Sequence, residues 1–278
     1  MLRHLTTAMA VALTAAFAAA AHAAPRVASY VMDARNGAAL HAVNADERLH
    51  PASLTKMMTL YLVFEAVRDG KLSLDQTVTV SRAAAAQPPS KMGFRAGQRV
   101  ALRDLIRSAA VRSANDSAVV LAEAVAGSEA RFAELMTRKA QALGMSRTTF
   151  RNASGLTAPG HLSTARDMAV LGYRLINDWP QYYNLFGRTS TSAHGRTVRN
   201  TNRLLTSYRG ADGIKTGYTR AAGFNLVSSA ERDGVRIIVS YFGGASGAQR
   251  NARVAELMDL GFARAPARPG RAPAGALV

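Results

Sequence analysis

The sequence has no cysteine. This excludes disulfides, a thiolate nucleophile and any cysteine-held metal or cluster. Acidic residues are also scarce: 18 Asp and Glu stand against 35 Lys and Arg, a formal charge of +17. The cations are mostly arginine and scattered singly, with no nucleic-acid motif beside them. They indicate a solvated basic face, and no nucleic-acid partner is expected. There are six His, but no His-Glu-x-x-His and no paired-His spacing, so neither a metal nor another cofactor is expected. Past the first two dozen residues, no apolar run is long enough to cross a bilayer.

What is present is a chain of 278 residues, 48% hydrophobic, which is enough for one large domain or two lobes. Arg3 and His4 precede an Ala-rich apolar stretch that ends at Ala21-His22-Ala23. A basic start, a short apolar run and a small-x-small ending describe a secretory signal peptide over residues 1–23. Export follows from that reading. The mature domain is expected over residues 24–262. Residues 263–278, rich in Ala, Pro, Arg and Gly without helical periodicity, read as a disordered tail. The tail is not an amphipathic helix, so no firm membrane anchor is expected.

Periodicity places the elements. Arg26 to Met32 and Ala38 to Val43 read as two strands about an Asn36-Gly37 turn. Ser53 to Val67 is helical, with Leu54, Met57, Met58, Tyr61, Leu62 and Phe64 on its apolar face. Residues 78–100 read as loop with short strands. Helices follow near 102–111, 116–126, 129–143 and 164–176, with a break at Arg112 to Asn115. Gly213 to Gly217, Gly223 to Ala230 and Val235 to Phe242 read as hairpin strands, and a last helix runs from about Ala248 to Leu260. Strands at both ends with helices between them predict an α/β fold: an antiparallel sheet flanked by helices, with an inserted all-helical lobe.

Three short motifs carry chemistry. In Ser53-Leu54-Thr55-Lys56, residues three apart share a helix face, so the hydroxyl and the amine can meet. Serine needs a base, and lysine serves as one only when neutral, which requires burial or a neighbouring cation. Alone, the pattern arises about once by chance in a chain of this size. Ser113-Ala114-Asn115 sits at the predicted helix break and could equally be a cap for the next helix. Lys215-Thr216-Gly217 lies on a predicted strand, where Lys and Thr could bind a carboxylate and Gly admits a substrate backbone. The order of the three, with about 60 residues and then about 100 between them, is far more specific than any one.

Text around the motifs extends the match: His50 to Thr59, Ser113 to Ser117, Gly155-Leu156 with Ala158-Pro159-Gly160, Ser163 to Asp167 and Asp212 to Thr219. Over roughly residues 24–262 the chain resembles the D-alanyl-D-alanine carboxypeptidases, serine-type low-molecular-mass penicillin-binding proteins. The resemblance implies a penicillin-binding transpeptidase-like fold and hydrolysis of the terminal D-alanine from peptidoglycan stem peptides. β-Lactams would be covalent inhibitors. It also implies roles: Ser53 as nucleophile, Lys56 as base, Ser113 as proton relay to the leaving amine, and Asn115 on the substrate amide and Lys56. Lys215 would supply a positive field, the backbone N–H groups of Ser53 and Tyr218 the oxyanion hole, and Thr216 and Arg250 a grip on the terminal carboxylate. Gly217 would belong to the same substrate-binding strand. Tyr218 stands where relatives often carry His. Rivals are a D,D-endopeptidase, a serine β-lactamase and a catalytically silent wall-binding protein. No Glu lies between Glu134 and Glu231, which disfavours the deacylating machinery of a class A lactamase.

Overall fold

A computed structural model describes residues 26–268. The signal-peptide reading over 1–23 lies outside the described residues, as does the tail beyond 268.

The chain begins with the expected hairpin, β1 (Ala28–Asp33) and β2 (Ala38–Val43), turning at Gly37 with φ +76°. A 3₁₀ turn (Ala52–Thr55) leads into α1 (Lys56–Arg68). The ribbon of β3 (Thr77–Thr79) and β4 (Arg99–Ala101) brackets the short α2 (Arg82–Ala85). Helix α3 (Leu102–Arg107) runs into a π-turn (Ser108–Arg112). Then come α4 (Asn115–Ala126), α5 (Glu129–Ala142) and α6 (Ala165–Asp178). After α7 (Pro180–Tyr183), a second ribbon pairs β5 (Ser190–Ala193) with β6 (Arg196–Arg199). A short α8 (Leu204–Ser207) precedes β7 (Ala211–Thr219), β8 (Gly223–Arg232), β9 (Val235–Gly244) and α9 (Gly247–Arg264).

The main sheet has the order β2-β1-β9-β8-β7, and every pairing in it is antiparallel. The two ends of the described chain thus meet in one sheet, β1 beside β9, and everything between β2 and β7 is an insertion. That insertion is the expected helical lobe, with the two ribbons added to it. Strands β8 and β9 read as near-continuous buried runs because both faces of the sheet are covered. Helix α9 closes one face, burying Val254, Leu257 and Met258 against Val31, Leu226, Ile237 and Val239. Helix α6 closes the other: its Gly172 lies so close that an added Cβ would sit 3.0 Å from Ile214 Cδ1.

Helix α1 is buried nearly all round, from Lys56 to Phe64 without interruption. It is the axle of the helical lobe, and that is why its apolar residues do not form one stripe. Two boundaries differ from the sequence expectation, and several short elements, α2, α7, α8 and one ribbon, are additional to it. Ser53 lies in the 3₁₀ turn rather than in the α-helix. Helix α9 continues through Arg264, so Ala263 and Arg264 are its last residues and not the start of the tail. The ribbon β5–β6 was not anticipated, since its Ser, Thr and Arg carry no apolar alternation. Among the described residues, no helix is long and apolar enough to cross a membrane.

Candidate active site

The nucleophile candidate is set by two backbone features. Ala52, just before Ser53, holds φ +50°, a left-handed conformation that costs an alanine roughly 1–2 kcal/mol. The 3₁₀ turn that Ala52 opens has three residues per turn, so side chains at i and i+3 eclipse. Ser53 and Lys56 are that pair, and Lys56 Nζ stands 3.0 Å from Ser53 Oγ.

Lys56 is fully buried. Burial, and next the charge of Lys215, push its amine well below the ordinary lysine value, against a smaller opposing pull from Asp116. Its other neighbours are oxygens that can only accept: Nζ donates to Asn115 Oδ1 at 2.8 Å and to the Ser154 carbonyl at 2.7 Å. A neutral amine has two N–H groups and one lone pair. Two carbonyl acceptors use both hydrogens, which leaves the lone pair for the Ser53 hydroxyl.

Asn115 opens α4, whose N-cap position is Ala114, with no capping side chain. The capping alternative for Ser113 and Asn115 therefore fails. Instead Asn115 Nδ2 donates to the Pro88 carbonyl at 2.9 Å, which orients the amide so that Oδ1 meets Lys56. Ser113 sits in the left-handed region, φ 65° and ψ 35°, at the end of the π-turn. The π-turn and this residue together project the 113–115 corner into the cleft, a use to which π-bulges are often put.

On the sheet side, β7 carries Lys215, Thr216, Gly217 and Tyr218 at the sheet edge. Gly217 passes close over the turn, and a Cβ there would lie 3.0 Å from both Ser53 N and the Pro51 carbonyl oxygen, so a side chain would press on the nucleophile's backbone. Lys215 is buried and donates to the Thr216 carbonyl at 3.0 Å. Burial and the charge of Arg250 lower it to about 7. Arg250, on α9, is itself lowered to about 10 by burial and by Arg203, and it donates to the Asn225 carbonyl and to Asn251 Oδ1. Tyr218 is 56% exposed, its ring 4.2 Å from that of Phe224.

One cleft of about 360 Å³ is lined by Ser53, Ser113, Asn115, Thr216, Gly217, Tyr218 and Arg250, among others. Lys56 and Lys215 lie beneath its floor, buried. All nine residues singled out from the sequence thus converge. Three further contributors went unrecognised. Ser154 acts through a backbone carbonyl, which leaves no side-chain signal. Thr201 Oγ1 lies 2.6 Å from Thr216 Oγ1 and comes from the unanticipated 200–203 loop. Asp116 accepts from the N–H groups of Met92, Gly93 and Phe94 and so holds the 88–94 loop against the 113–115 corner. No group of three or more His, Asp or Glu that could hold a metal occurs among the described residues.

The model of the peptidase S11 family, D-alanyl-D-alanine carboxypeptidase, matches residues 14–246. The D-alanyl-D-alanine carboxypeptidase DacF of Bacillus subtilis (strain 168) is 37% identical over 238 residues, an overlap of 84% of this chain. The chain spans 61% of that relative's length. Penicillin-binding protein 5 from Haemophilus influenzae superposes with a TM-score of 0.82 at 36% identity, covering 86% of this chain and 72% of that one. Penicillin-binding protein D2 from Listeria monocytogenes, in its cefotaxime-bound form, gives 0.77 at 35% identity, covering 84% and 96%.

Proposed function

The chain belongs to the D-alanyl-D-alanine carboxypeptidase family, and on that footing we propose that it hydrolyses the terminal D-alanine of peptidoglycan stem peptides through an acyl-enzyme on Ser53. The observation that carries the reading is the buried Lys56 amine 3.0 Å from Ser53 Oγ, with two carbonyl acceptors on its remaining sides.

Ser53 Oγ attacks the carbonyl carbon between the two D-alanines as its proton passes to the lone pair of Lys56. The developing oxyanion is met by the backbone N–H groups of Ser53 and Tyr218, each donor worth about 3–4 kcal/mol of transition-state stabilisation. The close passage of Gly217 over Ser53 N supports that pairing. The C–N bond breaks as the proton travels from Lys56 through Ser113 to the leaving amine. Asn115 bonds the substrate amide with its second N–H, and Thr216 with Arg250 holds the terminal carboxylate, Lys215 adding charge beneath it. Lys56 then deprotonates a water that attacks the ester carbonyl, and as the acyl C–O bond breaks the same amine returns a proton to Ser53 Oγ. A β-lactam would acylate the same hydroxyl.

The same proposal includes export. Residues 1–23 act as a signal peptide, the catalytic domain runs from residue 24 to the end of α9 at Arg264 and acts on the wall in the periplasm, and the remainder is a tail. Release of free D-alanine from a pentapeptide ending in D-Ala-D-Ala tests the activity. Wild type should release it, and Ser53→Ala should neither release it nor be labelled by fluorescent penicillin. Cleavage of cross-linked dimers without release from the pentapeptide would make the protein an endopeptidase, and rapid turnover of penicillin a lactamase. No labelling of wild type would leave a silent wall-binding protein.

A further inference from the structure

Carboxylates are missing from two stretches of the chain, residues 76–103 and 179–211, although both are rich in Lys and Arg. Both stretches border the cleft, which Pro89, Ser90 and Thr201 help to line. Three of the local cations meet in the loop that follows the cleft-lining Ser90. Arg112, exposed and itself lining the cleft next to Ser113, donates from Nε to the Lys91 carbonyl at 3.3 Å. Arg196, exposed on β6, donates from Nη2 to the Met92 carbonyl at 2.6 Å. Lys91 belongs to the same loop. Backbone carbonyls thus hold two guanidinium groups on adjacent residues of the loop that carries a third cation.

No ion pair joins Lys91, Arg112 or Arg196 to a carboxylate among the described residues. The carboxylate that reaches this loop, Asp116, is fully buried and engaged by backbone N–H groups. Elsewhere the pattern is the opposite: Arg35 meets Asp33, Arg166 meets Asp46, Arg236 meets Asp212 and Arg253 meets Glu256. Guanidinium groups brought together without a counter-charge form a surface suited to carboxylate or phosphate.

We propose that Lys91, Arg112 and Arg196 form an anion-binding platform at the mouth of the cleft, which takes a carboxylate carried by the substrate peptide on the acyl side of the scissile bond. The assignment to that side rests on the reading above, in which Thr216 and Arg250 on the sheet side already hold the terminal carboxylate. A second anion met by the loop side must then come from another part of the same peptide. The platform makes the enzyme selective for acidic over amidated peptides and accelerates their encounter at low salt.

The test compares two pentapeptides ending in D-Ala-D-Ala, one with free side-chain carboxylates and one with those groups amidated. Wild type should show a higher kcat/KM for the acidic peptide, and the ratio should shrink as salt rises. Arg112→Gln and Arg196→Gln should each lower that ratio roughly two- to fivefold, and the double variant by more than either. Arg253→Gln, altered far from the loop, should keep the wild-type ratio, and benzylpenicillin acylation reports that each variant is folded. Equal kcat/KM for both peptides in wild type, with D-alanine released from each, overturns the platform while leaving the activity intact. Release from neither overturns both. A ratio unchanged in the double variant, together with weakened binding to polyphosphate, would assign the cations to a wall polymer and overturn the peptide reading.

Discussion

His161 shows how one buried side chain can fix the site without touching a reacting atom. Its Nδ1 accepts from the Arg151 backbone N–H at 3.0 Å, so the ring is neutral and Nε2–H donates to Thr55 Oγ1 at 2.8 Å. Thr55 lies in the turn between the serine and the lysine, so the imidazole ties that turn to the loop supplying the Ser154 carbonyl. Burial, and then the charges of His50 and Arg151, depress His161 from its ordinary 6.5 to about 4. A depressed folded-state value means the stabilisation is present above the unfolded value and is lost as pH falls toward the folded one. Chemical denaturation of wild type should therefore lose up to about 3 kcal/mol between pH 6.5 and 4 from this group, a loss absent in His161→Gln. Lys215 gives a second pH signature. With its amine lowered to about 7 in part by Arg250, Arg250→Gln should move the alkaline limb of kcat/KM to higher pH as well as raise KM. A pH profile whose limb stays in place would detach Lys215 from the binding step. On the acid side, acylation by penicillin should fall as Lys56 gains its proton, and Lys215→Gln should move that fall to higher pH, since removing a cation raises the amine.

Among the elements, the 152–161 loop is the least tolerant of change. Asn152 Oδ1 accepts from the N–H groups of Ser154 and Gly155, Glu129 takes the Ala153 N–H, and Thr59 donates to the Ala153 carbonyl. These bonds aim the Ser154 carbonyl at Lys56. Gly155 holds φ +87°, and a Cβ there would fall 1.8 Å from the Ala52 carbonyl. Both conformation and space require glycine, so Gly155→Ala should reduce penicillin acylation at least tenfold by moving the 3₁₀ turn or the carbonyl. The test is the acylation rate on protein whose circular dichroism is unchanged. Acylation at the wild-type rate would mean the loop can yield without disturbing the serine. The longer helices and the main-sheet strands were legible from period and turn residues, whereas the loop's hold on the lysine was not. Its bonds run to carbonyls and backbone N–H groups, which every residue possesses.

For the whole molecule, the arrangement depends on α9 and α6 lying close against the two faces of the sheet. Gly261 of α9 would put a Cβ 2.6 Å from Ile237 Cγ2 and 2.9 Å from Val31 Cγ1. Alanine in a helix normally gains up to about 1 kcal/mol over glycine, but overpacking a filled interface costs about 1–3 kcal/mol. The second term wins, so Gly261→Ala should lower stability, by about 2–4 °C in Tm for each kcal/mol lost, while Gly261→Ser should do no better. A Tm at or above wild type would show that α9 can move away from the sheet. Because Arg250 rides on the same helix, a rise in KM would accompany that movement.

By itself, the sequence determined the chemistry on offer and the class of fold. Ser53, Lys56, Ser113, Asn115 and Lys215-Thr216-Gly217 were readable because side-chain identity and local spacing are written directly in the chain, and so are the two periods that separate helix from strand. Tertiary structure alone decided the protonation logic. Lys56 loses affinity for its proton because α1 is buried on every side and because β7, well over a hundred residues later, brings a second amine nearby. Desolvation and Coulomb fields depend on distances between segments remote in sequence. The same holds for the cations at the cleft mouth, which the chain scatters singly and the fold gathers.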